Sequence, residues 1–157
     1  MLNTRSSVIA SIKSVCDDWG ISLYTAYDPS LDSGSIPIGG MFVPNFEGIP
    51  AIDVLYAAHA TPKQIWWCFL HEFGHCLQWL DHSIGEWQMA YFVSNSGKHS
   101  LEIDAWIRAE ALARNSFFPP SAGFYALRRQ CLDTYGINVD TVDFSSCKPA
   151  VGRLKSA

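Results

Sequence analysis

The chain has 157 residues, of which 48% are hydrophobic and 13% aromatic, enough to fill the core of one globular domain. Its formal net charge is −4, and its 11 lysines and arginines are scattered along the chain, so we expect no direct binding to nucleic acid. The longest apolar run, "IWWCFL", is far too short to span a bilayer, which predicts a soluble, cytoplasmic protein without a membrane contact.

The first segment, "MLNTRSSVIASIKSVCDDWG", lacks the continuous apolar stretch and the small-residue cleavage pattern of a signal peptide. Its apolar residues follow helical spacing between Thr4 and Trp19, and Gly20 stands where a helix C-cap would be. We therefore predict an amphipathic helix at this end of the chain.

Three short segments rich in strand-forming residues come next. They are "ISLYTAY", "GGMFVP" and "IPAIDVLY", and the turn-rich loop "DPSLDSGS" separates the first from the second. Few residues join the last two segments, which favours antiparallel pairing. These segments predict a small three-stranded, antiparallel sheet.

The segment "ATPKQIWWCFLHEFGHCLQWLDH" predicts the central helix. Thr61 is a favourable N-cap, and Pro62 occupies the first helical position. Because the segment is apolar nearly all round, we expect this helix to be packed on several sides.

The rest of the chain predicts further helices. "SIGEWQMAYFVSNSGKHS" indicates a loop with at most one helical turn, whereas "LEIDAWIRAEALARN" and "SAGFYALRRQCLDTYG" indicate helices separated by "FFPP". The expected fold class is α+β: the sheet packs against the central helix, with one N-terminal helix and two or more C-terminal helices. We expect a single domain over residues 1–140 and a loosely ordered tail over residues 141–157.

The central helix carries an HExxH motif at residues 71–75. Residues four apart on a helix lie one above the other, so His71 and His75 direct two imidazoles to one point, with Glu72 at the edge of that face. Two nitrogen ligands at this spacing suit Zn²⁺, and a carboxylate that is not a ligand can take the proton of an activated water. The alternative is a pair of core histidines with hydrogen-bonded partners. It is less favoured because the three polar groups are costly to bury without a metal or a dense network.

A third metal ligand has to come from elsewhere in the chain. Asp104 and Glu110 each have an arginine four residues later, which explains them as surface ion pairs. Glu102 has no such partner, and its helical neighbours are Trp106 and three alanines. A lone carboxylate on a packing face is the better ligand candidate, so we favour Glu102 and keep Asp104 as the main alternative.

Several other groups are less favoured as ligands. Asp81 and His82 belong to the polar end of the central helix, and His99 is typical of a solvated loop. The five cysteines form no CxxC pair and indicate reduced, buried thiols. Cys76 follows His75 directly, and its side chain is expected to point away from the metal-binding face.

An HExxH helix followed by a glutamate on a second helix resembles the gluzincin class of zinc peptidases. The order of helix, strand, "GGMFVP", strand, "TPKQIWWCFLHEFGH" and "EIDAWIRAEAL" is similar, over roughly residues 4–115, to the ImmA/IrrE-type metallopeptidases. This resemblance implies a zincin-like domain that hydrolyses a protein or peptide substrate. It also implies that His71, His75 and Glu102 bind one Zn²⁺ ion and that Glu72 is the general base.

One position departs from the related motifs. Trp106 stands where those motifs usually have Asn or Asp, a polar residue expected to orient a ligand. Support for the ligands therefore has to come from another group.

Two further roles are expected at such a site. The strand "IPAIDVLY" is the candidate edge for an extended substrate, since it directly precedes the HExxH helix. Tyr91, His99 and Tyr125 are candidate donors to the developing oxyanion.

Two alternative functions remain open at this point. In the first, a zinc-containing module recruits a partner protein without cleaving it. Glu72 disfavours that alternative, because a structural zinc needs no free base, whereas Trp106 favours it mildly. In the second, the zinc centre hydrolyses a bond other than a peptide bond.

Overall fold

A computed structural model describes residues 3–45 and 48–145 and shows an α+β fold. Its helices and strands are α1 (Arg5–Trp19), β1 (Ser22–Tyr27), β2 (Ile38–Val43), β3 (Ala51–Tyr56), α2 (Pro62–Asp81), α3 (Ile84–Val93), α4 (Asn95–Arg114) and α5 (Ala122–Asp133). Within these ranges no helix combines the length and apolar character needed to cross a membrane. Of the expected tail, residues 146–157 lie outside the described residues, whereas Val142 and Phe144 pack against the core.

The predicted starts of α1 and α2 are confirmed. Thr4 and Thr61 are the N-caps, and each side chain accepts a hydrogen bond from the backbone N–H three residues later. Pro62 is the first residue of α2, where its missing N–H costs nothing. Gly20 caps the end of α1.

The sheet is mixed, so the expectation of a wholly antiparallel sheet is wrong. Strand order is β1-β3-β2; β2 and β3 are antiparallel, as their short connection predicts, but β1 runs parallel to β3. The long connection between β1 and β2 allows these two strands to lie on opposite sides of β3. Because β3 is the central strand, it has no free edge, and the expectation that "IPAIDVLY" offers a substrate edge is also wrong.

The expected loop over residues 83–100 is helical instead. It forms α3, and α4 already begins at Asn95. The local reason is capping: Ser83 and Glu86 form a capping box at the start of α3, and the Ser94 side chain accepts the Gly97 N–H at the start of α4.

Helix α2 is the centre of the core and packs against α1, α4 and the sheet. Its contact with α4 is close, because a Cβ atom at Gly74 would lie 2.7 Å from the Ala105 carbonyl oxygen. The alanines of α4, namely Ala105, Ala109 and Ala113, are buried, as expected for a face that allows close packing. This close packing brings the HExxH motif of α2 against Glu102 of α4.

Candidate metal centre

His71, His75 and Glu102 meet in the interior between α2 and α4. Glu102 Oε2 lies 3.1 Å from His71 Nε2, and Glu102 Oε1 lies 3.5 Å from His75 Nε2. One ligand atom from each residue lies within 4.8 Å of the other two, and all three side chains are buried. This buried group can hold a metal ion.

The surroundings of Glu102 fit a bound cation. The residue is 0% exposed, and its Oε2 atom has no hydrogen-bond partner among the described residues. The neighbouring His71 Nε2 is close but is not placed as a hydrogen-bond donor to it. A carboxylate oxygen left unpaired in the interior is costly, and a metal ion facing it would remove that cost. Two imidazole nitrogens and one carboxylate oxygen are also a common ligand set for transition metals.

Electrostatics within the group favour a charged Glu102. Burial by itself raises the pKa of a carboxyl, yet the two neighbouring imidazoles hold the pKa of Glu102 well below its usual range. Burial also tends to lower the pKa of His75, but contact with the Glu102 carboxylate outweighs it and raises that pKa. These contacts favour the ionised form of Glu102, which is the form that can bind a cation.

Glu72 lies beside the group without belonging to it. Its Oε1 atom is 4.0 Å from His71 Nε2, and the side chain is buried beneath β2. A Cβ atom at Gly40 would lie only 2.4 Å from Glu72 Oε1, so the absence of a side chain at Gly40 makes room for this carboxylate. Burial raises the pKa of Glu72, although a hydrogen bond from the Phe42 N–H and the nearby histidines counteract that effect.

The two histidines have different neighbours. His75 Nδ1 is 2.9 Å from Gln78 Oε1, within hydrogen-bond distance. The His71 ring instead stacks on Trp106, with 4.5 Å between ring centroids and 21° between planes, and its Nδ1 atom has no hydrogen-bond partner among the described residues. Sequence reasoning missed this contact, although a glutamine in an apolar helix, one turn beyond His75, was a usable signal for it.

The other candidate ligands lie outside the group. Asp104, the main alternative to Glu102, accepts hydrogen bonds from Gln78 and Arg108, and Asp81 also accepts from Arg108. Glu110 pairs with Arg114, as the i+4 spacing predicts, and additionally with Arg128.

Three other described candidates, His82, His99 and Cys76, also lie outside the metal-ligand group. His82 is exposed and His99 is half-buried, and neither lines the cleft described below. Cys76 is buried, and burial raises the pKa of its thiol to about 12, as expected for an inert thiol. Cys147 lies outside the described residues.

A cleft of about 310 Å³ opens onto His71, Glu72, His75 and Glu102. Its walls come from β2 and the residue after it, from α3, and from the turn after α5; the lining residues are Gly40, Met41, Phe42, Val43, Pro44, Trp87, Tyr91, Phe92 and Tyr135. The edge of the sheet that borders the site is therefore β2.

Of the three expected oxyanion donors, Tyr91 lies in the cleft. Its hydroxyl donates a hydrogen bond of 2.7 Å to Glu102 Oε1. Tyr125 lies elsewhere and hydrogen-bonds to Glu110. Tyr135 lines the cleft but was missed in the sequence, where it follows a predicted helix without any motif around it.

No protein-family model, curated protein or solved structure matches this chain significantly.

Proposed function

We propose that this protein is a zinc-dependent peptidase with a zincin-like domain, in which Glu72 is the general base. The observation that best supports this function is the placement of Glu72. It is a buried carboxylate next to a three-residue ligand group, it is not part of that group, and it faces an open cleft. A purely structural zinc usually has four protein ligands and no free base beside it.

A zinc ion held by His71, His75 and Glu102 would polarise the scissile carbonyl and lower the pKa of the attacking water. Glu72 accepts the proton of that water and delivers it to the leaving amine. Burial raises the pKa of Glu72, which makes it a stronger base toward that water. Tyr91 is the candidate donor to the oxyanion, since its hydroxyl lies in the cleft beside the ligand group. Its single hydrogen, which Glu102 Oε1 accepts in the free protein, would turn to the oxyanion when substrate is bound.

The cleft suits an extended protein or peptide substrate. Among the described residues strand β2 pairs only with β3, so its other edge has no strand partner there and could pair with an extended substrate. Met41 on β2 is 58% exposed, and Phe92 on α3 is 68% exposed, so both walls of the cleft offer apolar contacts. Unstructured peptides that contain large apolar residues are therefore the first substrates to test.

The test combines metal analysis with cleavage of such peptides by the full chain and its variants. We expect one zinc per chain in the wild type. Glu72→Gln should keep the zinc and lose about 100-fold or more of the cleavage rate, because the proton acceptor is gone. Glu102→Ala should lose the zinc, whereas Glu110→Gln, which changes a glutamate on the same helix but outside the cleft, should alter neither property.

Two results would contradict this function. One is a wild type without stoichiometric zinc, and the other is a Glu72→Gln variant that cleaves at the wild-type rate.

The second candidate function is a zinc-containing module that binds a partner without cleaving it. The observation that favours it is that His71 Nδ1, next to Trp106, has no hydrogen-bond partner in the described part of the chain, so this imidazole lacks the support expected of a catalytic metal ligand. Stoichiometric zinc together with capture of intact peptide, unchanged by Glu72→Gln, would support this module and not the peptidase.

A further inference from the structure

The orientation of the Gln78 side-chain amide follows from its partners. Gln78 Nε2 lies 2.7 Å from both the Leu101 carbonyl oxygen and Asp104 Oδ2. A carbonyl can only accept, and Asp104 Oδ2 already accepts from Arg108 Nε at 2.7 Å. The NH₂ end of the amide must therefore face Leu101 and Asp104.

The oxygen end faces two ring nitrogens. Trp87 Nε1, which can only donate, lies 3.3 Å from Gln78 Oε1, and His75 Nδ1 lies 2.9 Å from the same atom. Since an amide oxygen can only accept, His75 Nδ1 has to carry a hydrogen. In the neutral imidazole, the lone pair is then on Nε2, the atom that faces Glu102.

We propose that Gln78 is a positioning residue that holds His75 as the Nδ1–H tautomer and thereby presents its Nε2 lone pair to a metal ion. Leu101 and Asp104 hold the amide so that it cannot rotate and present its NH₂ group to His75. The metal-binding role of this tautomer rests on the proposed function. The tautomer itself follows from the hydrogen bonds of Gln78 and does not depend on a metal.

The chemistry of the position explains why it holds an amide. The residue is 0% exposed, so any polar group there must be fully paired. A glutamate would accept from His75 equally well, but it could not donate to Leu101 or Asp104 and would place two carboxylates in contact. A glutamine meets all four contacts and adds no charge to a site that already holds Glu72 and Glu102.

The first measurement is ¹⁵N NMR of the imidazoles in the zinc-free full chain, at alkaline pH where the rings are neutral. We expect His75 to show a protonated Nδ1 and an unprotonated Nε2 in the wild type. A wild-type His75 with its hydrogen on Nε2 would overturn the proposal, even if every variant failed to fold.

The second measurement is zinc affinity by competition with a chelator. Gln78→Met keeps the length of the side chain but has no amide oxygen, so we expect a 10-fold to 100-fold loss of affinity together with loss of the single His75 tautomer. Gln130→Met is the control, because Gln130 is exposed on α5. Wild-type affinity and an unchanged tautomer in Gln78→Met would overturn the proposal.

The two measurements also separate this proposal from the proposed function. A wild type that takes up no zinc but shows the Nδ1–H tautomer contradicts the peptidase and supports the role of Gln78 in setting the tautomer. Stoichiometric zinc with the opposite tautomer supports the metal centre and overturns the role of Gln78.

Discussion

The two histidines of HExxH occupy equivalent places in the motif but are held in different ways. His75 is held by a chain of hydrogen bonds: its ring contacts Gln78, Gln78 donates to Asp104, and Asp104 accepts from Arg108. His71 is held by a flat contact with Trp106. The hydrogen bond determines which nitrogen carries the hydrogen, whereas stacking determines only the plane of the ring.

This difference shows how both histidines can be positioned although Trp106 offers neither of them a hydrogen-bond acceptor. The wall next to His71 is apolar, and both His71 Nδ1 and the Trp106 indole nitrogen are buried without hydrogen-bond partners among the described residues. An unpaired buried donor costs about 1–3 kcal/mol. We infer that close packing of α2 on α4, which buries Trp106 fully, offsets this cost.

The largest expected effect comes from removing the stacking partner. Trp106→Ala should lower the free energy of unfolding by about 3–5 kcal/mol, as for other large core aromatics. It should also lower zinc affinity, because the plane of the His71 ring is no longer held. Urea unfolding of the zinc-free protein measures the first effect, and chelator competition measures the second.

Trp106→Phe is the matched control for this prediction. It keeps a flat ring against His71 and removes an indole N–H that has no hydrogen-bond partner in the described part of the chain, so both effects should be smaller. If Trp106→Ala loses stability but retains wild-type zinc affinity, the stack does not orient His71, and the contrast between the two histidines has no consequence for the metal.

The next effect concerns Glu72, the proposed base, and should leave both histidines in place. In Gly40→Ala, the new methyl group would overlap Glu72 Oε1, so the carboxylate has to move. A displacement of about 1 Å at a catalytic group can cost on the order of 100-fold in rate, so we expect a loss of this size in peptide cleavage with zinc retained.

Gly39→Ala is the control, in the same strand. Its nearest neighbours would be 3.9 Å away, on Leu31 and Leu55, at ordinary contact distance. Equal losses of cleavage in both variants would indicate a general effect on β2 and not a displaced base.

Much of the site could be predicted because its residues are linked by local rules. Helical spacing predicts that His71 and His75 share a face, and the absence of an i+4 arginine distinguishes Glu102 from Asp104. Helix caps predict the start of α2 from Thr61 and Pro62. Each of these rules depends on residues within a few positions of one another.

The parts that could not be predicted depend on contacts between distant segments. No local pattern shows that β1 pairs with β3 and not with β2, and that pairing makes β2 the edge at the cleft. The apolar residues of helix α3 do not gather on one face, so its sequence lacks an amphipathic pattern and Met89, Phe92 and Val93 are exposed. Its capping box was the only local signal.

The smallest effect is expected at Glu102, the proposed third ligand, whose carboxylate is positioned by a hydrogen bond as His75 is. Tyr91→Phe removes the hydroxyl that donates to Glu102 Oε1. A typical hydrogen bond contributes about 1 kcal/mol, which corresponds to roughly a fivefold loss of zinc affinity, to be measured by chelator competition. Tyr125→Phe removes a tyrosine–glutamate hydrogen bond of the same kind, to Glu110 outside the cleft, and should leave the affinity unchanged.

Because Tyr91 restrains the Glu102 carboxylate and contacts neither imidazole through a hydrogen bond, loss of its hydroxyl should not alter the His75 tautomer. If it does, the hydrogen bonds at Glu102 and at His75 act as one network, and His71 alone depends on packing.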